Sequence, residues 1–255
     1  MFQKTCLFLI LVPASVLSAG AQKPAAADYY KAIAKYDLSR LWRADSLFDQ
    51  EEKKNFVFPE PLGFIGDNFQ RFFIHYTSVR KNPQNPYEYI VAGKTRVKNT
   101  ILPFTGKITV KRATLDRESD DPMYRQGTVY AEVRLFEDSV AAASGSFQGQ
   151  LVTSCCIDKK GRIAYDAIMM VADGYSNNQC TAVWKSYRTG ATKKCNWGDF
   201  RIPESGELDH GAGEFTVDEK YVRFGWESYV KSYSSDDEKE RAAALAEEDR
   251  QWWKD

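Results

Sequence analysis

The sequence predicts a mainly β protein: an antiparallel meander closed into a barrel, or packed as a sandwich, with a helical segment before it and a helix after it. Three observations carry that expectation. Apolar residues recur at every second position through much of the chain between Phe69 and Trp197, the period of a strand with one dry face. The apolar runs follow one another closely, with no connection long enough for the crossovers that parallel pairing needs. Eight or so strands in meander order must hide their edges, and closure into a barrel, the favoured arrangement here, does so completely.

The N-terminus reads as a targeting segment. Lys4 supplies a positive start, Leu7 to Val12 a short apolar run, Pro13 a break, and Ser18-Ala19-Gly20-Ala21 the small side chains of a cleavage site, so residues 1–21 are expected to be a signal peptide removed after Ala21. The apolar run falls well short of the about 20 residues that span a bilayer. Cys6 stands at its start and is not placed like a lipidated cysteine. These features predict an exported, secreted protein, periplasmic or extracellular, with no membrane span.

Three parts are expected behind the cut: an N-terminal helical segment at 22–62, an antiparallel β domain at 63–233 and a C-terminal helix at 234–255. Asp28 to Asp49 reads as helical because Tyr29, Ile33 and Tyr36 share a helical face, and Leu38, Leu41 and Trp42 continue it. Pro59, Pro61 and Gly63 then end helix formation. Strands follow around Phe72, Ile74 and Tyr76, and around Tyr87, Tyr89, Val91 and Val97, joined by a turn over Lys81 to Pro86. Val129, Ala131, Val133 and Leu135 alternate most cleanly with polar residues.

Further strands are expected at Gly106 to Leu115, Ser146 to Ile157, Arg162 to Ala172, Cys180 to Tyr187 and Thr192 to Trp197. Asp158-Lys159-Lys160-Gly161 reads as a tight turn with Gly161 at positive φ. Thr216 to Glu219 has capping-box spacing for a short helix ending at Gly225. Trp226 to Tyr233 reads as a last strand. Ser235 to Glu238 is a second capping box before a helix through Ala242 to Glu248, whose final Trp252 and Trp253 are expected to dock on the β domain, or to meet a protein partner.

Composition excludes several functions. Lysine plus arginine equals aspartate plus glutamate, 35 each, so no basic stripe points to nucleic acid. The two histidines, His75 and His210, are far apart in sequence, no Gly-x-Ser-x-Gly elbow accompanies them, and no phosphate-cradling or dinucleotide motif occurs. No metal site and no cofactor are expected. Beyond Cys6 the cysteines are Cys155, Cys156, Cys180 and Cys195. A Cys180–Cys195 disulfide is expected because the two flank a hairpin-like stretch in an oxidising compartment, whereas Cys155 and Cys156, adjacent on a strand, face different environments.

Two candidate sites remain. The region from Tyr175 to Tyr233 is rich in aromatic residues, and a cavity lined by Trp184, Tyr187, Trp197 and Trp226 would suit a sugar or an apolar ligand. The stretch from Asp199 to Glu214 gathers acids, of which Asp209 and Glu214 are the candidate pair for carboxylate-dependent glycan hydrolysis. Asp173 to Asn178 is oxygen-rich, lacks the closing glutamate of a calcium loop, and reads as a turn.

Gly145-Ser146-Phe147-Gln148-Gly149 and Ala182-Val183-Trp184-Lys185-Ser186-Tyr187 resemble the strands of lipocalin-like (calycin) barrels, with Ala182 where that family carries the glycine of Gly-x-Trp. Cys195 to Pro203 and Gly211 to Phe215 resemble segments of uncharacterised exported proteins of the Bacteroidota. The first resemblance implies a ligand-holding barrel and the second an envelope location. The leading expectation is a non-catalytic exported protein that binds a small amphipathic or carbohydrate ligand. A glycan hydrolase and a structural or partner-binding envelope protein are the alternatives.

Overall fold

The structure is a computed structural model and describes residues 26–254; the signal-peptide expectation for residues 1–21 lies outside them. The described residues start with β1 (Ala27–Asp28), two single helical turns, α1 (Tyr30–Ile33) and α2 (Ser39–Trp42), and a small hairpin of β2 (Ser46–Phe48) and β3 (Asn55–Val57). The main sheet follows: β4 (Leu62–Ile65), β5 (Gln70–Asn82), β6 (Asn85–Val97), β7 (Thr100–Leu115), β8 (Tyr124–Glu137), β9 (Gly145–Asp158), β10 (Ile163–Tyr165), β11 (Asn177–Ser186) and β12 (Thr192–Asp199). Three α-helices follow, α3 (Glu219–Val222), α4 (Glu227–Ser234) and α5 (Glu238–Glu248), and a 3-10 turn over Trp252–Lys254 ends the described residues.

All pairings are antiparallel. Strands β4 to β9 pair in sequence, β9 then pairs β11, β11 pairs β12, and β12 returns to β4. Eight strands therefore form a closed ring of pairings, with β1 attached to β7 and β10 to β9. The period-two residues face inward: Phe72, Ile74, Tyr76, Tyr89, Val91, Ile108, Val129, Ala131, Val133, Leu135, Phe147, Leu151 and Trp197 are all buried in one cluster. Gly93 makes room for this packing, since a Cβ there would stand 2.5 Å from Phe104 Cζ and 2.1 Å from His75 O.

The N-terminal segment closes one end of the ring. Leu38 N donates to Tyr89 Oη at 3.0 Å, Trp42 Nε1 to Thr153 Oγ1 at 2.9 Å, and Asn178 Nδ2 to Leu41 O at 2.8 Å. These bonds tie residues 38–42 to β6, β9 and β11 while Leu38, Leu41 and Trp42 join the core. A second cluster of Phe64, Ile202, Leu208, Phe215, Val217 and Trp226 joins the segment beyond Asp199 to β4.

Several expectations are corrected. Asp28 to Asp49 is not one helix, because its aspartates capture nearby amides in turns: Asp28 takes Tyr30 N, Asp37 takes Ser39 N, and Asp49 takes Glu51 N and Glu52 N. Trp226 to Tyr233 is helical and not a strand, since Trp226, Tyr229, Val230 and Tyr233 recur at helical spacing and Tyr229 packs on Phe215 and Trp226. The strand expected over Arg162 to Ala172 stops at Tyr165, where Asp166 accepts from Ile168 N and turns the chain.

The helix caps are Asp218 and Asp237, each the third residue of its expected capping box. The Cys180–Cys195 bridge does not form: all four described cysteines are free and buried. The β11/β12 register sets Cys180 opposite Trp197 and Val183 opposite Lys194, so the two cysteines are out of step along the ladder.

Candidate functional site: a cavity at the open end of the ring

Away from the N-terminal plug, the ring contains a cavity of about 340 Å³ whose lining includes Ile65, Phe72, Val97, Leu102, Phe147 and Trp184, with Thr95, Glu137 and Lys193. Register explains the set. Phe147 and Trp184 pair across β9 and β11, Thr95 and Leu102 across β6 and β7, and Glu137 is the last residue of β8, in phase with Val129, Ala131, Val133 and Leu135. The alternation that buries four apolar side chains carries a carboxylate inward on the fifth step.

Glu137 is 7% exposed. Thr95 Oγ1 lies 2.5 Å from its Oε1, Trp184 Nε1 donates to Oε2 at 3.1 Å, and Gly145 N donates to Oε2 at 2.8 Å. No cation pairs with it among the described residues; Lys193, in the same lining, stands 5.8 Å from the centroid of the Trp184 ring system. Burial pushes the Glu137 carboxyl above the usual range, and the bonds from Thr95, Trp184 and Gly145 pull against that shift. The arrangement presents an oxygen acceptor, or a donor once protonated, beside a half-buried indole and the apolar side chains of Phe72, Leu102 and Phe147, in a lining that also carries Asn68, Gln70, Lys98 and Lys193.

Of the four aromatic residues expected together, only Trp184 lines this cavity. Trp197 is 1% exposed and fills the ring between Phe72 and Phe147, at 5.9 and 6.3 Å between centroids. Trp226 is fully buried in the second cluster, with Nε1 donating to Phe69 O at 2.9 Å. Tyr187 is 41% exposed beside the turn to β12. The expected grouping of Trp184, Trp197 and Trp226 at one end does not occur, because the three indoles belong to a cavity wall, a solid interior and an outer core.

The acidic loop is also dispersed. Asp209 forms an ion pair with Arg201 at 2.5 Å and accepts from Gly211 N and Thr216 N, which staples the loop together. Glu214 is exposed. Asp199 lies at the plugged end of the ring, wholly buried, accepting from Tyr165 Oη at 3.0 Å and Asn178 Nδ2 at 2.7 Å. Asn177 and Asn178 spend their side chains on Ser154, Leu41 and Asp199.

His75 Nδ1 lies 2.9 Å from Glu60 Oε1 and its ring stacks on Trp253 at 3.8 Å, while His210 is exposed in a loop. Trp252 is buried against Phe73. Both C-terminal tryptophans thus pack on the chain's own sheet. Among the described residues no group of three or more His, Cys, Asp and Glu could hold a metal ion, and no helix is long and apolar enough to cross a membrane.

Sequence reasoning missed Glu137 and Thr95, although a signal was present. A charged residue in phase with an unbroken apolar face marks a carboxylate that folding will carry inward. Compared with protein-family models, with curated proteins and with solved structures, this chain finds no match in any of the three.

Proposed function

We propose that the ring is a lipocalin-like barrel and that the protein, exported and non-catalytic, binds a small amphipathic or carbohydrate ligand in the cavity at its open end. The observation that carries this reading is Glu137, a buried carboxylate with no cation paired to it among the described residues, beside Trp184 in a hollow of mixed polar and apolar lining. Burying a carboxylate opposes folding even with three hydrogen bonds to offset part of the cost, so its presence in a cavity points to a role there. The volume sits at the small end of ligand sites, and the floor is Phe72 and Phe147 packed on Trp197. A compact ligand with one polar group for Glu137 and an apolar face for Trp184 fits that space.

Tryptophan fluorescence titrated with short fatty acids and with oligosaccharides tests the proposal. One of these series is expected to give a saturable change that is lost in Trp184→Phe. No response in either series, or an unchanged response in Trp184→Phe, overturns it. Glycan hydrolysis by Asp209 and Glu214 has less support, because Arg201 and the loop amides already occupy the Asp209 carboxylate.

A further inference from the structure

On the outer face of the ring, Arg96 of β6 is in an unusual position. Its side chain is 11% exposed and its guanidinium lies 3.9 Å from the centre of the Phe73 ring and 5.4 Å from that of Trp252. Its Nε is buried with no hydrogen-bond partner. Glu247 is its one ion-pair partner among the described residues, with Oε1 3.6 Å from Nη1, a long contact that leaves Nε unserved. A guanidinium carries five donors in a fixed fork, and leaving them unmet inside a protein is costly. Arg71 alongside is held by Glu248 in a two-bond fork, at 2.8 and 2.5 Å.

Arg96 lines a groove of about 340 Å³ together with Arg71, Lys98 and Arg223, against only Glu227 and Glu247 of opposite charge. The start of α4 forms one wall, and this helix has no side-chain cap at its first turn, so its amide groups add positive potential. Gly225 allows that close approach: its φ is +93° and a Cβ would stand 3.0 Å from Gln70 Nε2. Burial and the neighbouring Arg250 and Arg71 charges disfavour the Arg96 cation and Glu247 offsets them in part; an anion in the groove would add to that offset.

We infer that this groove is a binding site for a tetrahedral oxyanion, a phosphate or sulfate group, held by the Arg96 fork, with Arg223 and Lys98 at its rim and the α4 amides opposite. The groove shares Gln70 and Lys98 with the lining of the ring cavity, whereas Arg96 and Arg223 line the groove and not the cavity. Planar bidentate recognition of such groups is what arginine geometry favours.

Isothermal titration calorimetry on the mature chain at constant ionic strength, with inorganic phosphate, sulfate and phenyl phosphate, tests the inference. Saturable binding with a Kd of about 1 mM or tighter is expected, weakened at least about tenfold by Arg96→Gln. Arg223→Gln and Arg223→Ala change an exposed residue that lines the groove and not the ring cavity, so they keep the test decisive if Arg96→Gln does not fold; each is expected to weaken binding measurably with the circular dichroism spectrum unchanged.

The absence of saturable heat with all three anions overturns the proposal, as does equal affinity in the wild type and the rim variants. Phosphatidylcholine vesicles with and without phosphatidic acid separate a lipid headgroup from a free anion. Binding to the acidic vesicles with none to the soluble anions also overturns it, because that result reports a diffuse surface field and not a built groove.

Discussion

The indole of Trp184 donates to the carboxylate of Glu137 at 3.1 Å, joining β11 to the end of β8 across the intervening β9. This bond makes the cavity wall and its one inward acid a single unit, so a change in either is felt by both.

Glu137→Ala is expected to destabilise the protein by roughly 2 kcal/mol, because Trp184 Nε1 and Gly145 N lose their acceptor. Glu137→Gln keeps an acceptor and a donor in place and is expected to be better tolerated. Since burial raises the Glu137 carboxyl, its contribution is fullest below the unfolded pKa and is lost as pH rises through the folded value. Urea unfolding at a series of pH values is expected to show a shallower fall in Glu137→Gln than in wild type.

Asp199 gives a larger effect of the same sign. Burial pushes its carboxyl up to about 7, against bonds from Asn178 and Tyr165, so the native state retains a proton that the unfolded chain releases near pH 4. Stability is therefore expected to fall by about 4 kcal/mol at most between pH 4 and pH 7. Asp199→Asn is expected to flatten that part of the curve; a curve unchanged by the substitution would contradict the assignment.

The four described cysteines are free, and burial pushes every one of their thiols up. Native protein is expected to react negligibly with a thiol reagent at neutral pH and to react fully in denaturant. Reductant is expected to leave the melting temperature unchanged, whereas a drop would indicate a bridge.

Arg71 is 5% exposed at its side chain and its guanidinium is held by Glu248 of α5. Glu248→Ala leaves that charge buried and alone, and is expected to cost about 3–5 kcal/mol. Truncation at Ser235 removes Glu248 and also Trp252, which covers Phe73, so it is expected to lower the urea midpoint further. If α5 served a partner alone, truncation would leave the midpoint where it was.

Side-chain alternation, a local property, was enough to reveal most of the sheet. Phe72, Ile74 and Tyr76 of β5 and Val129 to Leu135 of β8 face inward as their spacing requires, and the turn at Gly161 takes φ +77° as expected. Local pattern misled where another local interaction competed: aspartates broke the run from Asp28 to Asp49 into turns, and Trp226 to Tyr233 fits a helical period as well as a short strand. What the chain did with Glu137, Asp199 and Arg96 was decided only by tertiary structure. Closing eight strands fixes which rung each residue occupies and which neighbours surround it, and no spacing within one strand states the register of the next. For the same reason Trp184, Trp197 and Trp226, close in sequence and alike in chemistry, ended in three separate environments.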